Sequence, residues 1–143
     1  MKKIRLFERF AGIGSQRKAL KNIAKNEYEV ISLGSVDFYI DAIISYMIIH
    51  HGYLKKETKL SRVEMIQKLS QYCFSSDSKK VVNMNYFSRM NQEKLQIIFP
   101  YLYAYVNNEY FINVYHVNER ERERERATPT FANSIICLKT LTF

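Results

Sequence analysis

Two glycines, Gly12 and Gly14, follow an apolar run near the start of the chain and precede a basic stretch. Glycine has no Cβ, so a ligand can approach such a backbone closely, and the first N–H groups of a following helix attract polar and anionic groups. An acid and an aromatic residue, Asp37 and Phe38, lie further along the chain. A carboxylate can accept hydrogen bonds from both hydroxyls of a ribose, and a phenyl ring can stack on adenine. Together these residues indicate a site for a ligand that contains adenosine.

Each of these residues also has a purely structural interpretation. A glycine pair after a strand can serve close packing alone, Asp37 can cap the following helix, and Phe38 can belong to the core. The third glycine of the dinucleotide pattern Gly-x-Gly-x-x-Gly is absent, because that position is Arg17. The ligand is therefore expected to carry adenosine without a pyrophosphate, and S-adenosylmethionine is the obvious candidate.

The elements that must position these residues alternate between strand and helix. Apolar runs predict strands over 4–10 and 28–33, the first buried on both faces, and helical spacing predicts helices over 15–25 and 37–51. This order predicts an α/β fold with a parallel sheet and right-handed crossovers. The glycine turn and Asp37 would then lie at one edge of the sheet.

Beyond the second helix the pattern is less regular. Helices are predicted over 60–72 and 91–105, and the next strand over 110–117. The second strand is expected to end before Gly34. A doubly wound sheet needs more strands than this, so we expect an incomplete one.

The totals describe one small basic domain. The chain has 143 residues, with 22 Lys and Arg against 14 Asp and Glu, for a formal net charge of +8. This charge favours polyanionic partners, nucleic acid before acidic membrane surfaces. No apolar run is long enough for a bilayer, and the beginning of the chain does not resemble a signal peptide, so a cytoplasmic protein is expected. The three histidines lack metal-ligand spacing, and His50 and His51 are predicted to lie on the surface at a helix end.

Three segments carry a family resemblance. LFERFAGIGSQRKALKNI resembles the opening of bacterial DNA (cytosine-5) methyltransferases, where a strand with Phe-x-Gly-x-Gly begins the catalytic domain. YEVISLGSVDFYIDAIISYMIIHH resembles the next segment of that family, and KLSQYCFSSDSKKVVNMNYFSRMNQEKLQIIF resembles the spacer of a mollicute-type branch that methylates CG sites. The similarity covers 2–117. It implies the N-terminal half of a Rossmann-like domain that uses S-adenosylmethionine.

The resemblance assigns roles to five residues. Phe10, Gly12 and Gly14 would line the methionine and adenosine of the cofactor. Asp37 would hold the ribose and Phe38 would pack on the adenine. The family often has Glu and Trp at the last two positions, so this chain departs from it conservatively.

The catalytic half of the family pattern is missing. The family adds a cysteine thiolate to cytosine C6 so that C5 can attack the methyl group, after the base is flipped out of the duplex. The family's cysteine follows a proline, whereas Cys73 follows Tyr72 and Cys137 follows Ile136, and its Glu-Asn-Val motif is absent. The chain is therefore expected to be a cofactor-binding fragment with no catalytic residue, inactive by itself. Its family would serve restriction-modification or phase-variable methylation.

The chain divides at a run of alternating Arg and Glu. Residues 1–118 form the partial methyltransferase domain, 119–126 the repeat, and 127–143 an unrelated tail, expected to be disordered. Arg and Glu codons can alternate as AGA and GAG, a tract that slips during replication, so we interpret the tail as frameshifted. The alternative is a solvated charged linker.

The expected partners follow from these interpretations. Double-stranded DNA is the partner of the full-length enzyme, and a separate chain that carries the catalytic half is a second candidate. No membrane and no metal are expected. The rival function, from another class, is a basic DNA-binding module without enzymatic activity.

Overall fold

The computed structural model describes residues 1–24 and 27–116, in the order strand, helix, strand and then helices. The elements are β1 (Lys2–Arg9), α1 (Ser15–Ala24), β2 (Tyr28–Val36), α2 (Ile40–His51), α3 (Arg62–Ser70), a 3₁₀ helix (Phe87–Arg89), α4 (Gln92–Val106) and α5 (Asn108–Tyr115). The predicted α/β order is confirmed. The Arg-Glu repeat and the segment 127–143 lie outside the described residues.

Strands β1 and β2 form a parallel pair, as predicted. The register shifts after Leu6, where Leu33 is the extra residue of a β-bulge. Gly34 follows with φ 125°, a value that side chains rarely tolerate. The prediction that β2 ends before Gly34 is wrong, because the bulge absorbs the irregularity and the strand continues to Val36. The two-stranded parallel sheet is compatible with part of a Rossmann-like fold.

Strand β1 is far less buried than predicted. Its residues are exposed or half-buried apart from Glu8, which is only 2% exposed. The expectation of burial on both faces is wrong for the described part of the chain, since there β1 has β2 as its one neighbouring strand.

The core of the described residues lies between helices and not against the sheet. Helices α2, α3 and α4 supply most of the fully buried side chains, which are Ile43, Met47, Met65, Leu69, Leu95, Phe99 and Leu102. Both later helices begin at polar caps: Ser61 and Glu64 form a capping box before α3, and Asn91 caps α4. None of the described helices is long and apolar enough to cross a membrane.

The segment predicted as a late strand is helix α5. The Asn107 side chain accepts a hydrogen bond from the Tyr110 N–H at 2.9 Å and starts the helix. The Phe111 ring then packs edge-on against His51, with centroids 4.8 Å apart. The strand prediction is wrong because this cap and these helical contacts outweigh the β propensity of the segment.

His51 is half-buried and packs against aromatic rings of α5, so its prediction as a surface residue is wrong. Its ring contacts Phe111 and Tyr115. Burial, with smaller effects from Arg17 and His50, lowers the pKa of His51 to about 3. The folded protein therefore holds this ring neutral well below the pH at which an unfolded histidine takes up a proton.

Acidification should weaken the fold through His51. The unfolded ring gains a proton near pH 6.5 while the folded ring does so near pH 3, so the free energy of unfolding falls as the pH falls between these values. We expect a loss of about 2 kcal/mol between pH 7.5 and pH 5. Urea unfolding at several pH values measures it. The variant His51→Phe keeps the ring packing and should lose much of this pH dependence; an unchanged slope would contradict the assignment.

Candidate cofactor site

The turn between β1 and α1 is shaped by three residues with positive φ. Phe10 and Gly12 both have φ 53°, and Gly14 has φ 72°. The Gly14 N–H donates to the Ala11 carbonyl at 2.8 Å, and the Ala11 N–H donates to the Val36 carbonyl of β2 at 3.1 Å. The turn is thus fastened to the carboxyl end of the neighbouring strand, the edge that the sequence predicts.

Asp37 joins this turn to the start of α2. One carboxylate oxygen accepts the N–H of Gly12 at 2.8 Å. The other accepts the N–H of Phe38 at 2.7 Å and of Tyr39 at 2.9 Å. Helix α2 begins only at Ile40, so Asp37 organises the turn before the helix and is not its N-cap residue. A carboxylate has about four lone-pair directions, which leaves one for a further donor such as a ribose hydroxyl.

The two aromatic residues assigned to the site differ in exposure. Phe10 is 78% exposed, although it lies in a backbone conformation that is unfavourable for a phenylalanine. Phe38 is half-buried. Its carbonyl accepts the Ser75 N–H at 2.7 Å, and the Ser75 carbonyl accepts the Ile40 N–H at 2.9 Å. The backbone around Phe38 is therefore fixed by two hydrogen bonds to Ser75. The Phe10 ring, in contrast, is exposed and could cover a ligand.

The two glycines have different structural roles. A Cβ on Gly12 would meet nothing within 4 Å, so open space lies beside that residue. A Cβ on Gly14 would overlap the His50 ring and lie 2.7 Å from Tyr46 Cε2. Gly12 therefore leaves room for a ligand, whereas Gly14 permits the turn to pack against α2.

Alanine substitutions should separate these roles. Gly12→Ala introduces only the backbone strain of positive φ, about 1–2 kcal/mol. Gly14→Ala adds a steric overlap with the His50 and Tyr46 rings, and we expect it to cost about 1–2 kcal/mol more. Chemical denaturation of both variants measures the difference. Equal destabilisation would contradict the packing role of Gly14.

A buried carboxylate that the sequence analysis missed braces the same turn. Glu8 Oε1 accepts the backbone N–H of Arg17 at 3.2 Å, and Oε2 accepts the Tyr46 hydroxyl at 3.3 Å. The Arg17 guanidinium donates to the same hydroxyl at 2.9 Å. Glu8, Arg17 and Tyr46 thereby connect β1, α1 and α2 around the glycine turn. The position of Glu8 inside an apolar run was the sequence feature that could have indicated its burial.

Three rings near the turn, those of Tyr46, Tyr105 and His50, stay neutral near pH 7. Burial raises the pKa of Tyr46, so its hydroxyl remains a donor to Glu8. Burial likewise raises the pKa of Tyr105, whose hydroxyl accepts from Ser35 Oγ at 3.1 Å. Burial lowers the pKa of His50, and its neutral ring can donate from Nε2 to the Ile13 carbonyl, 3.2 Å away.

The described residues differ in what they offer a metal ion and an adenosine. They include no group of three His, Cys, Asp or Glu side chains close enough to hold a metal ion. Gly12 offers open space, Asp37 a remaining acceptor direction, and Phe10 an exposed ring. These are the chemical features that a ribose and an adenine require.

The comparison with known proteins finds a relative. The chain is 44% identical over 100 residues to the orphan methyltransferase M.SssI of Spiroplasma monobiae. The alignment covers 68% of this chain and 25% of that protein, so the chain spans about a quarter of its relative's length. No protein-family model matches the chain. The resemblance drawn from the sequence is thereby confirmed, and the chain belongs to the same methyltransferase family as this Spiroplasma protein.

Proposed function

We propose that this chain is the cofactor-binding N-terminal part of a DNA (cytosine-5) methyltransferase and that it binds S-adenosylmethionine at the glycine turn. The observation that carries the proposal is the hydrogen bond between the Gly12 N–H and Asp37, which unites the predicted turn and the predicted acid at one sheet edge. The similarity to a methyltransferase supports the same function.

The residues have distinct roles in this proposal. The cofactor supplies an activated methyl group on a sulfonium. Asp37 accepts a ribose hydroxyl through its remaining lone pair, and the open side of Gly12 admits the adenosine. The rings of Phe10 and Phe38 exclude water from the bound adenine and methionine.

The chain alone is proposed to be inactive. Methylation of cytosine C5 needs a thiolate that adds to C6, and neither Cys73 nor Cys137 follows a proline as the family's nucleophile does. A separate chain that carries the catalytic half would complete the enzyme on double-stranded DNA in the cytoplasm. An open reading frame with a Pro-Cys motif just downstream would supply that chain.

The proposed frameshift at residues 119–126 would explain why the catalytic Pro-Cys motif is not found in this chain. The repeat can be encoded by a slipping dinucleotide tract, and the family likeness stops before it. Sequencing the tract in several isolates tests this origin. A constant repeat length would contradict the switching hypothesis and favour a charged linker.

Isothermal titration with S-adenosylmethionine and with its demethylated product tests the cofactor proposal. We expect saturable binding of both, no comparable binding of NAD, and only background methyl transfer to DNA. The second candidate function is a basic DNA-binding module, which the net charge of +8 favours. DNA binding without any binding of the cofactor would support that module and overturn the methyltransferase proposal.

A further inference from the structure

A concave surface away from the glycine turn lies at the N-terminal end of α4. It is a surface cavity of about 340 Å³, lined by Asn83, Tyr86, Arg89, Met90, Asn91 and Lys94. No acidic residue is among these lining residues. The volume falls within the usual range of small-ligand sites, about 300–1,000 Å³.

The polar side chains of the cavity are left as hydrogen-bond donors. The Asn83 side-chain oxygen accepts the Asn85 N–H at 3.0 Å, and the Asn91 oxygen accepts the N–H groups of Glu93 and Lys94. Each amide oxygen therefore binds backbone N–H groups, and both NH₂ groups remain to donate. The bonds to Asn91 satisfy first-turn N–H groups of α4, so the ligand chemistry of the cavity resides in side chains.

Two cations complete this set of donors. Arg89 and Lys94 are exposed, and neither forms an ion pair with another residue in the described part of the chain. The nearest acid in sequence, Glu93, is not among the lining residues. Two cationic residues, two asparagines and a tyrosine line one cavity, and such a set favours a ligand with several anionic oxygens.

The backbone that carries Arg89 is held in place by a second arginine. Arg62 Nη2 donates to the Ser88 carbonyl at 2.8 Å and to the Met90 carbonyl at 2.6 Å. Its Nη1 donates to Gln92 Oε1 at 3.1 Å. Arg62 thus fixes the residues on both sides of Arg89. The Arg89 side chain is thereby presented from a defined backbone and not from a loose loop.

We propose that this cavity binds a phosphate group through Arg89, Lys94 and the two asparagine amides. The phosphate is either a backbone phosphate of DNA or one carried by a free phosphate compound. The DNA alternative rests on the proposed function, whereas binding of a free phosphate compound does not. The cavity shares no residue with the glycine turn, so the two sites can fail independently.

The test compares two double variants that lose the same charge. Arg89→Ala with Lys94→Ala removes the cations of the cavity, and Lys55→Ala with Lys56→Ala removes two exposed lysines elsewhere. Binding of the full chain to a fluorescent DNA duplex is followed by anisotropy at several salt concentrations. We expect the cavity variant to bind about ten-fold more weakly at low salt, with a salt slope reduced by about two, and the lysine control to bind nearly as the unchanged chain does.

A second probe distinguishes the source of the phosphate. Pyrophosphate is titrated while the amide and arginine NMR signals of the cavity are recorded, and thermal unfolding verifies that each variant is folded. Weaker DNA binding by the cavity variant alone supports a DNA phosphate as the ligand. Saturable NMR shifts with pyrophosphate, without weaker DNA binding, support a free phosphate compound. Equal DNA defects in the two variants with no pyrophosphate response would overturn the proposal. A separate titration with the demethylated cofactor reports on the glycine turn alone.

Discussion

Replacement of Asp37 by alanine is expected to lower the free energy of unfolding by about 3 kcal/mol and to abolish cofactor binding. The carboxylate accepts three backbone N–H groups, those of Gly12, Phe38 and Tyr39. Its loss leaves these donors without a partner in a partly buried turn, and each hydrogen bond to a charged acceptor contributes about 1–3 kcal/mol. Urea denaturation measures the stability, and calorimetric titration measures the cofactor.

Two further variants separate the contributions of Asp37. In Asp37→Asn the amide oxygen can still accept from Phe38 and Tyr39, but the amide NH₂ group cannot accept from Gly12. We therefore expect roughly half of the alanine effect. Asp41→Ala is the control, because that carboxylate is exposed and, among the described residues, accepts a hydrogen bond from the Tyr39 hydroxyl at 3.1 Å. Equal effects at Asp37 and Asp41 would show that the turn is not organised by Asp37.

Replacement of Glu8 by alanine is expected to lower the free energy of unfolding by a similar amount, about 3 kcal/mol. Glu8 is almost fully buried, and its two oxygens accept from Arg17 and Tyr46. Without the carboxylate, the Arg17 N–H and the buried Tyr46 hydroxyl lose their acceptor. The change should also weaken cofactor binding, because α1 and α2 then hold the glycine turn less firmly. Thermal unfolding with a cofactor titration measures both.

The matched control for Glu8 is a glutamate on the neighbouring strand. Glu29 Oε2 lies 3.9 Å from Lys3 Nζ in a partly exposed ion pair, so Glu29→Ala should change stability by less than about 1 kcal/mol. Glu8→Gln keeps the shape and one acceptor and should recover part of the stability. An effect of Glu8→Ala no larger than that of Glu29→Ala would contradict the bracing role of Glu8.

Local patterns in the sequence were sufficient to predict the elements that carry the proposed site. Apolar runs, the glycine turn and helical spacing predict β1, α1, β2 and α2 in order, and parallel pairing then brings Asp37 to Gly12. The resemblance agrees with the similarity to a methyltransferase. These features depend on residues close in sequence or on a topology with few alternatives.

Features that depend on distant contacts were not predictable. Tyr46 of α2 covers Glu8 of β1, and His50 of the same helix packs against Gly14. Helix α5 forms where its pattern resembles a strand, since Phe111 packs onto His51. Tertiary packing overrides local propensity at each of these positions.

The cavity beside α4 also depends on contacts between residues that are distant in sequence. The sequence alone permits two interpretations of Arg89 and Lys94, a contact with DNA and an ordinary solvated face. The structure gathers them with Asn83 and Asn91 in one concavity, which requires the bonds from Arg62 to the backbone around Arg89. No sequence spacing indicates that Arg62 has this role.

Amide NMR during a titration with demethylated cofactor tests most directly whether the glycine turn and Asp37 form one adenosine site. We expect saturable shifts at Gly12, Phe38 and Tyr39, with the amides around Arg89 unchanged. No saturable shift at millimolar ligand, or shifts confined to residues away from the turn, would contradict such a site.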